Sequence, residues 1–167
     1  MSTTATAPFA GPLGVLTVSA TPEGVARLRF PNRDRSPADA RGTGPARAVL
    51  DQALAELDEY FAGRRTRFDV AVDLSRVSGE RREVLDALTR IDHGETTTYG
   101  ALARALGMTG DGARRVGGAL AANPVLVIVP CHRVVGADGA LTGYAGGLRA
   151  KELLLGLERP RQLALDV

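Results

Sequence analysis

The chain contains a single cysteine, Cys131, among its 167 residues. An intramolecular disulfide is therefore excluded, and the fold must be held together by a hydrophobic core. Hydrophobic residues make up 44% of the chain, which at this length is enough for one good core or two small ones. We expect a globular protein with room for two compact units.

The residue after Cys131 is His132, one of only two histidines in the chain. A lone cysteine more often packs in a core than reacts. An adjacent base, however, lowers a thiol pKa from its ordinary value of about 8.5 and favours the reactive thiolate. The pair therefore indicates a nucleophile, and a Cys-His hydrolase or a redox protein are open alternatives, although redox exchange would lack a resolving cysteine.

The segments before and after this pair differ in composition. The apolar run 123–129, stopped by Pro130, predicts a short buried strand that ends at Cys131. Residues 136–147 are rich in glycine and predict a tight loop that approaches other backbone closely.

The first half of the chain predicts a small α/β unit. Residues 14–20 and 24–30 alternate between apolar and polar and are separated by a turn, which predicts a β-hairpin. Residues 31–45 predict a mobile surface loop. Apolar residues recur at helical spacing over 46–61, and 68–72 returns to strand alternation. We expect residues 1–75 to have a mostly structural role.

The second half predicts three helices. One apolar stripe runs from Val84 towards Gly94, and Thr97-Thr98 offers a cap for a second helix that ends at Gly107. A third helix spans 113–122 after a turn, so the pair is either a helix-turn-helix or a simple helical hairpin. The small residues of the third helix would permit close backbone approach to a groove.

Charge and targeting signals constrain the partners only loosely. The formal net charge is +2, and Lys151 is the single lysine beside many arginines. Arginine makes bidentate phosphate contacts, so this composition is compatible with a DNA partner without indicating one. The first ten residues have neither a basic start nor an apolar core, and no apolar run is long enough to span a bilayer. We expect a cytoplasmic protein with no membrane association.

Several motifs in the second half together resemble one known family. They are Asn123-Pro124, Pro130-Cys131-His132-Arg133-Val134-Val135, the loop Tyr144-Ala145-Gly146-Gly147, a helix ending in Glu158, and Tyr99, Arg114 and Gly117-Gly118 in register with them. This combination resembles the O6-alkylguanine-DNA alkyltransferases, also called methylated-DNA-protein-cysteine methyltransferases. The resemblance is strong from Ile91 to Glu158 and weak before Ile91.

The resemblance implies a fold and a division into domains. It implies an N-terminal α/β domain, residues 1–75, with a small antiparallel sheet plus a helix, like ribonuclease H. A mainly α C-terminal domain, residues 76–167, would contain a winged helix-turn-helix-like DNA-binding unit.

The resemblance also implies a chemistry. The family moves the alkyl group of O6-alkylguanine in duplex DNA irreversibly onto its own cysteine, after flipping the base, with one turnover per molecule. Cys131 would be the acceptor, His132 would take the thiol proton through a bridging water, and Glu158 would hold the imidazole. Asn123 would act at the hinge before the active-site segment. O4-alkylthymine is a further candidate substrate.

Residues outside this catalytic set receive roles by the same resemblance. Tyr99 would contact the phosphate 3′ to the extruded nucleotide, and Arg114 would fill the vacated stack. The remaining DNA-binding candidates are Arg115, Gly117 and Ala121, and the candidate pocket residues are Val134, Val135, Tyr144, Ala145 and Gly146. We expect a monomer that acts on alkylated duplex DNA and needs no cofactor and no metal.

The chain departs from the family pattern at two sites that bear on this role. Family members commonly carry Phe-x-x-x-Val-Trp where this chain has Glu80 to Leu85, and many carry Ser where it has Ala145. A non-catalytic alkyltransferase-like protein that only binds lesions is the main alternative function. The presence of Cys131 argues against that alternative, because such proteins lack the acceptor cysteine.

Overall fold

The computed structural model describes residues 4–31 and 39–160. Its N-terminal part is a three-stranded antiparallel sheet, in the order β1, β2, β3, with one helix packed against β2. These elements are β1 (Ala5–Gly11), β2 (Gly14–Thr21), β3 (Gly24–Arg29) and α1 (Pro45–Phe61).

The predicted hairpin is confirmed, but β1 was not predicted. Alternation along β2 buries Leu16, Val18 and Ala20 against the helix, as a half-buried strand requires. Strand β1 pairs with β2 along its whole length. Its inward positions include two alanines, which carry too little apolar signal to reveal a strand from the sequence.

Helix α1 confirms the helix predicted over 46–61. Pro45 stands in its first turn, where the missing N–H has no intrahelical partner to lose. Leu50, Ala53 and Leu57 are fully buried on its inner face. Each leucine buried in this way contributes about 1.5–3 kcal/mol.

The strand predicted over 68–72 is wrong. Only Val72 forms a β-bridge, parallel to Val25. The backbone N–H groups of Asp69 and Val70 donate instead to the buried carboxylate of Glu56, over 2.9 and 3.1 Å. Since a side chain satisfies these donors, no strand partner is needed. Of the surface loop predicted over 31–45, residues 32–38 lie outside the described part of the chain.

The C-terminal part is mainly helical, as predicted. Its helices are α2 (Gly79–Leu88), α3 (Tyr99–Ala105), α4 (Gly112–Ala121) and α5 (Leu148–Glu158). Two short strands, β4 (Thr97–Thr98) and β5 (Val134–Val135), pair in parallel. Among the described residues no helix combines the length and apolar character needed to cross a membrane.

The predicted pair of helices with an intervening turn is confirmed as α3 and α4, which pack on each other. The hydroxyl of Thr98 accepts from the Ala101 N–H at 3.0 Å and caps α3, as the sequence predicted. A Cβ at Gly112 would lie 2.8 Å from the Met108 side chain and 3.1 Å from that of Ala103. Glycine there permits the close approach of the two helices.

The strand predicted before Cys131 is also wrong. Only Val125 forms a bridge, to Leu28 of β3, with the Leu28 N–H donating to the Pro124 carbonyl at 2.9 Å. Beyond that bridge the chain folds into a buried turn, closed by a hydrogen bond from the Val129 N–H to the Val125 carbonyl at 3.0 Å. The edge of the N-terminal sheet thus supports the segment that leads to Cys131.

Candidate active site

Asn123 closes the turn that delivers Cys131. Its side-chain amide donates to the Val129 carbonyl at 2.9 Å, and its side-chain oxygen accepts from the Val125 N–H at 3.0 Å. Within this turn Val127 adopts φ 69°, an unusual conformation for a β-branched residue. Such strain persists only where the surroundings over-determine it, and the two Asn123 hydrogen bonds supply that constraint.

Cys131 starts a single 3₁₀ turn, Cys131–Arg133, and is buried with 4% of its surface exposed. Burial raises the pKa of its thiol, and the Asn123 amide and the positive charge of Lys151 oppose that rise. The net shift is upward, so the resting group is a neutral thiol. A nucleophile in this state needs a base that removes its proton during reaction.

His132 lies beside Cys131 and is completely buried. Its Nε2 atom lies 2.8 Å from Glu158 Oε1, while its Nδ1 atom has no hydrogen-bond partner among the described residues. Because a carboxylate only accepts, Nε2 carries the hydrogen and Nδ1 keeps its lone pair. Burial lowers the pKa of the imidazole despite the opposing Glu158 contact, so the ring is neutral and able to accept a proton.

The Glu158 carboxylate gathers donors from three residues. In addition to His132, the hydroxyl of Tyr60 donates to Oε1 at 2.7 Å, and Arg133 donates to both oxygens at 2.9 Å. Burial alone would raise the pKa of Glu158, but the hydrogen bonds from His132 and Arg133 outweigh it and hold the pKa far below the usual range. Glu158 is therefore a charged, fixed anchor for the imidazole.

Beside Cys131 opens a cavity of about 560 Å³. Its walls come from α3, α4, the 3₁₀ turn and the glycine-rich loop. The residues that line it are Tyr99, Ala113, Arg114, Gly117, Leu120, Ala121, Cys131, Thr142, Gly143, Tyr144 and Ala145. The Tyr144 hydroxyl is buried without a hydrogen-bond partner among the described residues, and burial raises its pKa, so it stays protonated.

Lys151 is hydrogen-bonded to a residue that lines this cavity. Its Nζ donates to the carbonyls of Val134 at 2.6 Å and Thr142 at 2.8 Å, and lies 5.9 Å from the centre of the Tyr99 ring. The side chain is fully buried, which lowers its pKa, while the nearby Cys131 opposes the shift. Lys151 thus ties the active-site segment to the glycine-rich loop.

Half of the fourteen site residues predicted from the sequence line this cavity, and seven do not. Three of those seven, Asn123, His132 and Glu158, belong instead to the hydrogen-bonded network around Cys131. The other four are Arg115, Val134, Val135 and Gly146. Arg115 pairs with Asp111 at 2.9 Å and with Glu80, one of the positions where the chain departs from the family. Val134 and Val135 lie in β5, and Gly146 packs against the Phe30 ring, which would lie 2.6 Å from a Cβ at that position.

Three residues that contact the site were not predicted from the sequence. Arg133 stands inside the motif that contains Cys131, and a charged residue in an otherwise apolar buried stretch was an available signal. Lys151 is the single lysine of the chain, which was a weaker signal. Tyr60 lies on an ordinary amphipathic helix, and nothing in the local pattern distinguishes it from a core residue.

Comparisons with known proteins agree with this arrangement. The family model for the ribonuclease-like domain of 6-O-methylguanine DNA methyltransferase matches residues 7–74, and that for its DNA binding domain matches residues 80–160. A methylated-DNA-protein-cysteine methyltransferase from Mycolicibacterium paratuberculosis is 44% identical over 148 residues, which cover 89% of this chain and 88% of the relative. One from Mycobacterium leprae is 40% identical over 152 residues, or 91% of this chain and 90% of the relative.

Solved structures show the same fold. The crystal structure of the Mycobacterium tuberculosis O6-methylguanine methyltransferase is 38% identical, has a TM-score of 0.80 and covers 96% of both chains. A structure of that organism's protein in complex with DNA is also 38% identical, with a TM-score of 0.78 over 91% of both chains. The fold class predicted from the sequence is confirmed, and this chain belongs to the family of methylated-DNA-protein-cysteine methyltransferases.

Proposed function

We propose that this chain repairs O6-alkylguanine in duplex DNA by moving the alkyl group irreversibly onto Sγ of Cys131. The observation that carries the proposal is the Cys131 thiol at the wall of the 560 Å³ cavity, next to His132 and its Glu158 anchor. The family relationship supports the same activity, since several relatives carry the name of that enzyme class.

The chemistry needs one proton transfer and one displacement. His132 Nδ1 accepts the thiol proton through a bridging water, and the resulting imidazolium is held by the Glu158 carboxylate. The thiolate then attacks the alkyl carbon, so that an S–C bond forms while the bond from carbon to guanine O6 breaks. The electron pair of the broken bond stays on the guanine, and the proton that left the thiol passes from the imidazolium to N1, so that guanine leaves in its neutral form. No step regenerates the thiol, so each molecule reacts once.

The lesion reaches the cavity by leaving the base stack, because its O6 atom is inaccessible inside the duplex. The cavity volume of about 560 Å³ lies within the range of about 300–1,000 Å³ that is usual for small-molecule sites. Arg114, at the start of α4, fills the vacated stack, and Tyr99 contacts the phosphate 3′ to the flipped nucleotide. The small residues Gly117 and Ala121 let the helix approach the groove closely. O4-alkylthymine is a second substrate of the same site.

The alternative of a lesion-binding protein without activity is disfavoured by Cys131, since such a protein needs no nucleophile. A Cys-His hydrolase would explain the thiol and the imidazole but not the arginine at the start of α4. We also propose that the chain acts as a monomer, with a domain division at residues 75/76, and that it works in the reducing cytoplasm, where a free thiol acceptor persists.

Intact-mass measurement after incubation with a duplex that contains O6-methylguanine tests the proposal. We expect every active molecule to gain the mass of one methyl group in exchange for a hydrogen, and peptide mapping to locate it on Cys131. A hydrolase would leave the protein mass unchanged, and a binding protein would retain the DNA without reacting. Cys131→Ala is the control, and transfer that persists in this variant would contradict the assignment.

A further inference from the structure

Tyr60 belongs to α1, in the N-terminal unit, yet its hydroxyl lies in the hydrogen-bond network of the active site. It donates to Glu158 Oε1 over 2.7 Å, and this is the same oxygen that accepts from His132 Nε2 at 2.8 Å. Only 1% of the Tyr60 surface is exposed. The contact joins residues that are 98 positions apart in the sequence.

The hydroxyl of Tyr60 is a permanent donor in this network. Burial raises its pKa, and the negative charge of Glu158 raises it further, so the phenol stays protonated. Arg133, the remaining donor, binds both carboxylate oxygens. Oε1 therefore accepts from three residues, Tyr60, His132 and Arg133, and its electron density is shared among them.

The ring of Tyr60 is held independently of its hydroxyl. It packs against Phe61 and Phe68 with ring centroids 5.1 Å apart in each pair, and edge-on against His93 at 6.3 Å. The charged or titratable groups that face it are Glu158, Arg133 and His93, with Tyr144 acting at longer range. Removing the hydroxyl should therefore leave the aromatic packing in place.

We propose that Tyr60 is a positioning residue for the alkyl transfer: its hydroxyl fixes Glu158 Oε1 in line with His132 and takes up part of the carboxylate's accepting capacity. The N-terminal unit thereby sets both the geometry and the basicity of the imidazole. The proposal rests on the function proposed for Cys131 and adds to it a residue that never touches the substrate.

Tyr60→Phe tests the proposal, because it removes the hydroxyl and keeps the ring. The single-turnover rate on a duplex with O6-methylguanine should fall about tenfold, because Glu158 no longer holds the imidazole in the orientation that the proton transfer needs. The pH profile should change as well. Without Tyr60 the carboxylate holds the imidazolium more strongly, the pKa of His132 rises, and the acid limb of the rate profile moves to higher pH.

Two further measurements separate positioning from a structural role. In the double variant Tyr60→Phe/Glu158→Gln the two effects should not add, because Tyr60 acts through Glu158. The ¹⁵N ring signals of the two histidines report protonation directly, and His93→Asn assigns them. We expect the His132 titration to shift in Tyr60→Phe.

Phe68→Leu is the matched control, since it loosens the packing on the Tyr60 ring without touching the hydroxyl. It should leave the acid limb in place. A rate and a profile equal to those of the wild type in Tyr60→Phe would overturn the proposal, as would a lower rate that tracks a lower melting temperature with no shift of the limb. If the wild type itself transfers no alkyl group, the proposed function fails instead.

Discussion

The two units of the molecule differ in what they bury. Among the described residues the N-terminal unit buries one charged side chain, Glu56, whose carboxylate accepts a hydrogen bond from a backbone N–H of the same unit. The C-terminal unit buries several polar or charged side chains, which are Asn123, His132, Arg133, Lys151 and Glu158. Burying polar groups costs free energy unless every one is bonded, so their concentration in one unit marks the place where chemistry is performed.

The two units nevertheless contact each other at the active site. Tyr60 bonds to Glu158, and Phe30, just after β3, packs edge-on against Tyr144 of the pocket loop at 5.6 Å between ring centroids. The N-terminal unit was expected from the sequence to be mostly structural. That expectation stays a prediction, and the structure adds that α1 and the residue after β3 both contact residues of the site.

The largest effect is expected from Glu158→Gln. The amide cannot stabilise the imidazolium, so the single-turnover rate should fall about 10²- to 10⁴-fold while the affinity for DNA stays nearly unchanged. Arg133 would be left buried without its anion, which destabilises the fold by about 3–5 kcal/mol. Rapid-quench kinetics and urea unfolding measure the two effects. An unchanged rate would remove Glu158 from the mechanism.

The same carboxylate gives the protein a defined acid sensitivity. Its folded-state pKa lies below the unfolded value of about 4.3, so the folded form binds fewer protons. The stabilisation is then fully present above that value and is lost as the pH falls towards the depressed folded-state pKa. Urea unfolding at a series of acidic pH values should show a steeper loss in the wild type than in Glu158→Gln. Parallel curves would show that other carboxylates dominate.

The next effect in size separates the two neighbouring arginines of α4. Arg114 lines the cavity, whereas Arg115 is bound by Asp111 and Glu80. Arg114→Ala should slow repair of a duplex lesion about 10- to 100-fold, because flipping costs a few kcal/mol, but should hardly affect reaction with free O6-benzylguanine. Arg115→Ala is the matched control and should leave both rates near the wild type. Equal losses on both substrates in Arg114→Ala would show that Arg114 serves the pocket or the fold.

The sequence predicted the elements whose signal is local. Helix α1 repeats its apolar residues at the helical period, and Thr98 has the hydroxyl that the N-terminal cap of α3 requires. The residues around Cys131 were found because the motif there is contiguous and specific. Both kinds of signal can be read without knowing which distant residues meet.

The errors come from contacts that no local pattern encodes. The apolar run before Cys131 has the composition of a strand, yet Asn123 bonds both ends of it and folds it into a turn. Residues 68–72 were misjudged because Glu56, far away in the sequence, satisfies their backbone. Tyr60 was missed for the same reason, since its partner Glu158 is known only once the two units are packed together.

A smaller effect tests the contact between the units. Gly146→Ala would place a methyl group 2.6 Å from the Phe30 ring, so either the ring or the pocket loop must shift. Overpacking of this kind costs about 1–3 kcal/mol. Gly156→Ala, in an open position on α5, is the control and should stabilise the helix by about 0.5–1 kcal/mol. Urea unfolding measures the free energy of unfolding of both variants. If Gly146→Ala were as stable as the wild type, the Phe30 ring would move aside without a cost in stability.

The smallest effect compares two ion pairs of similar length, one in each unit. Arg47 and Asp51 lie 2.9 Å apart on the surface of α1, with side chains 38% and 52% exposed, and Arg133 lies at the same 2.9 Å from Glu158 with its side chain 9% exposed. Water screens the first pair, so Arg47→Gln should cost no more than about 0.5 kcal/mol, and salt should reduce even that. Arg133→Gln leaves a buried carboxylate short of a donor and should cost several times more, with little dependence on salt. Urea unfolding of both variants at low and high salt measures the difference. Similar costs for the two would contradict the view that the buried ion pair of the C-terminal unit contributes more than the exposed pair of the N-terminal unit.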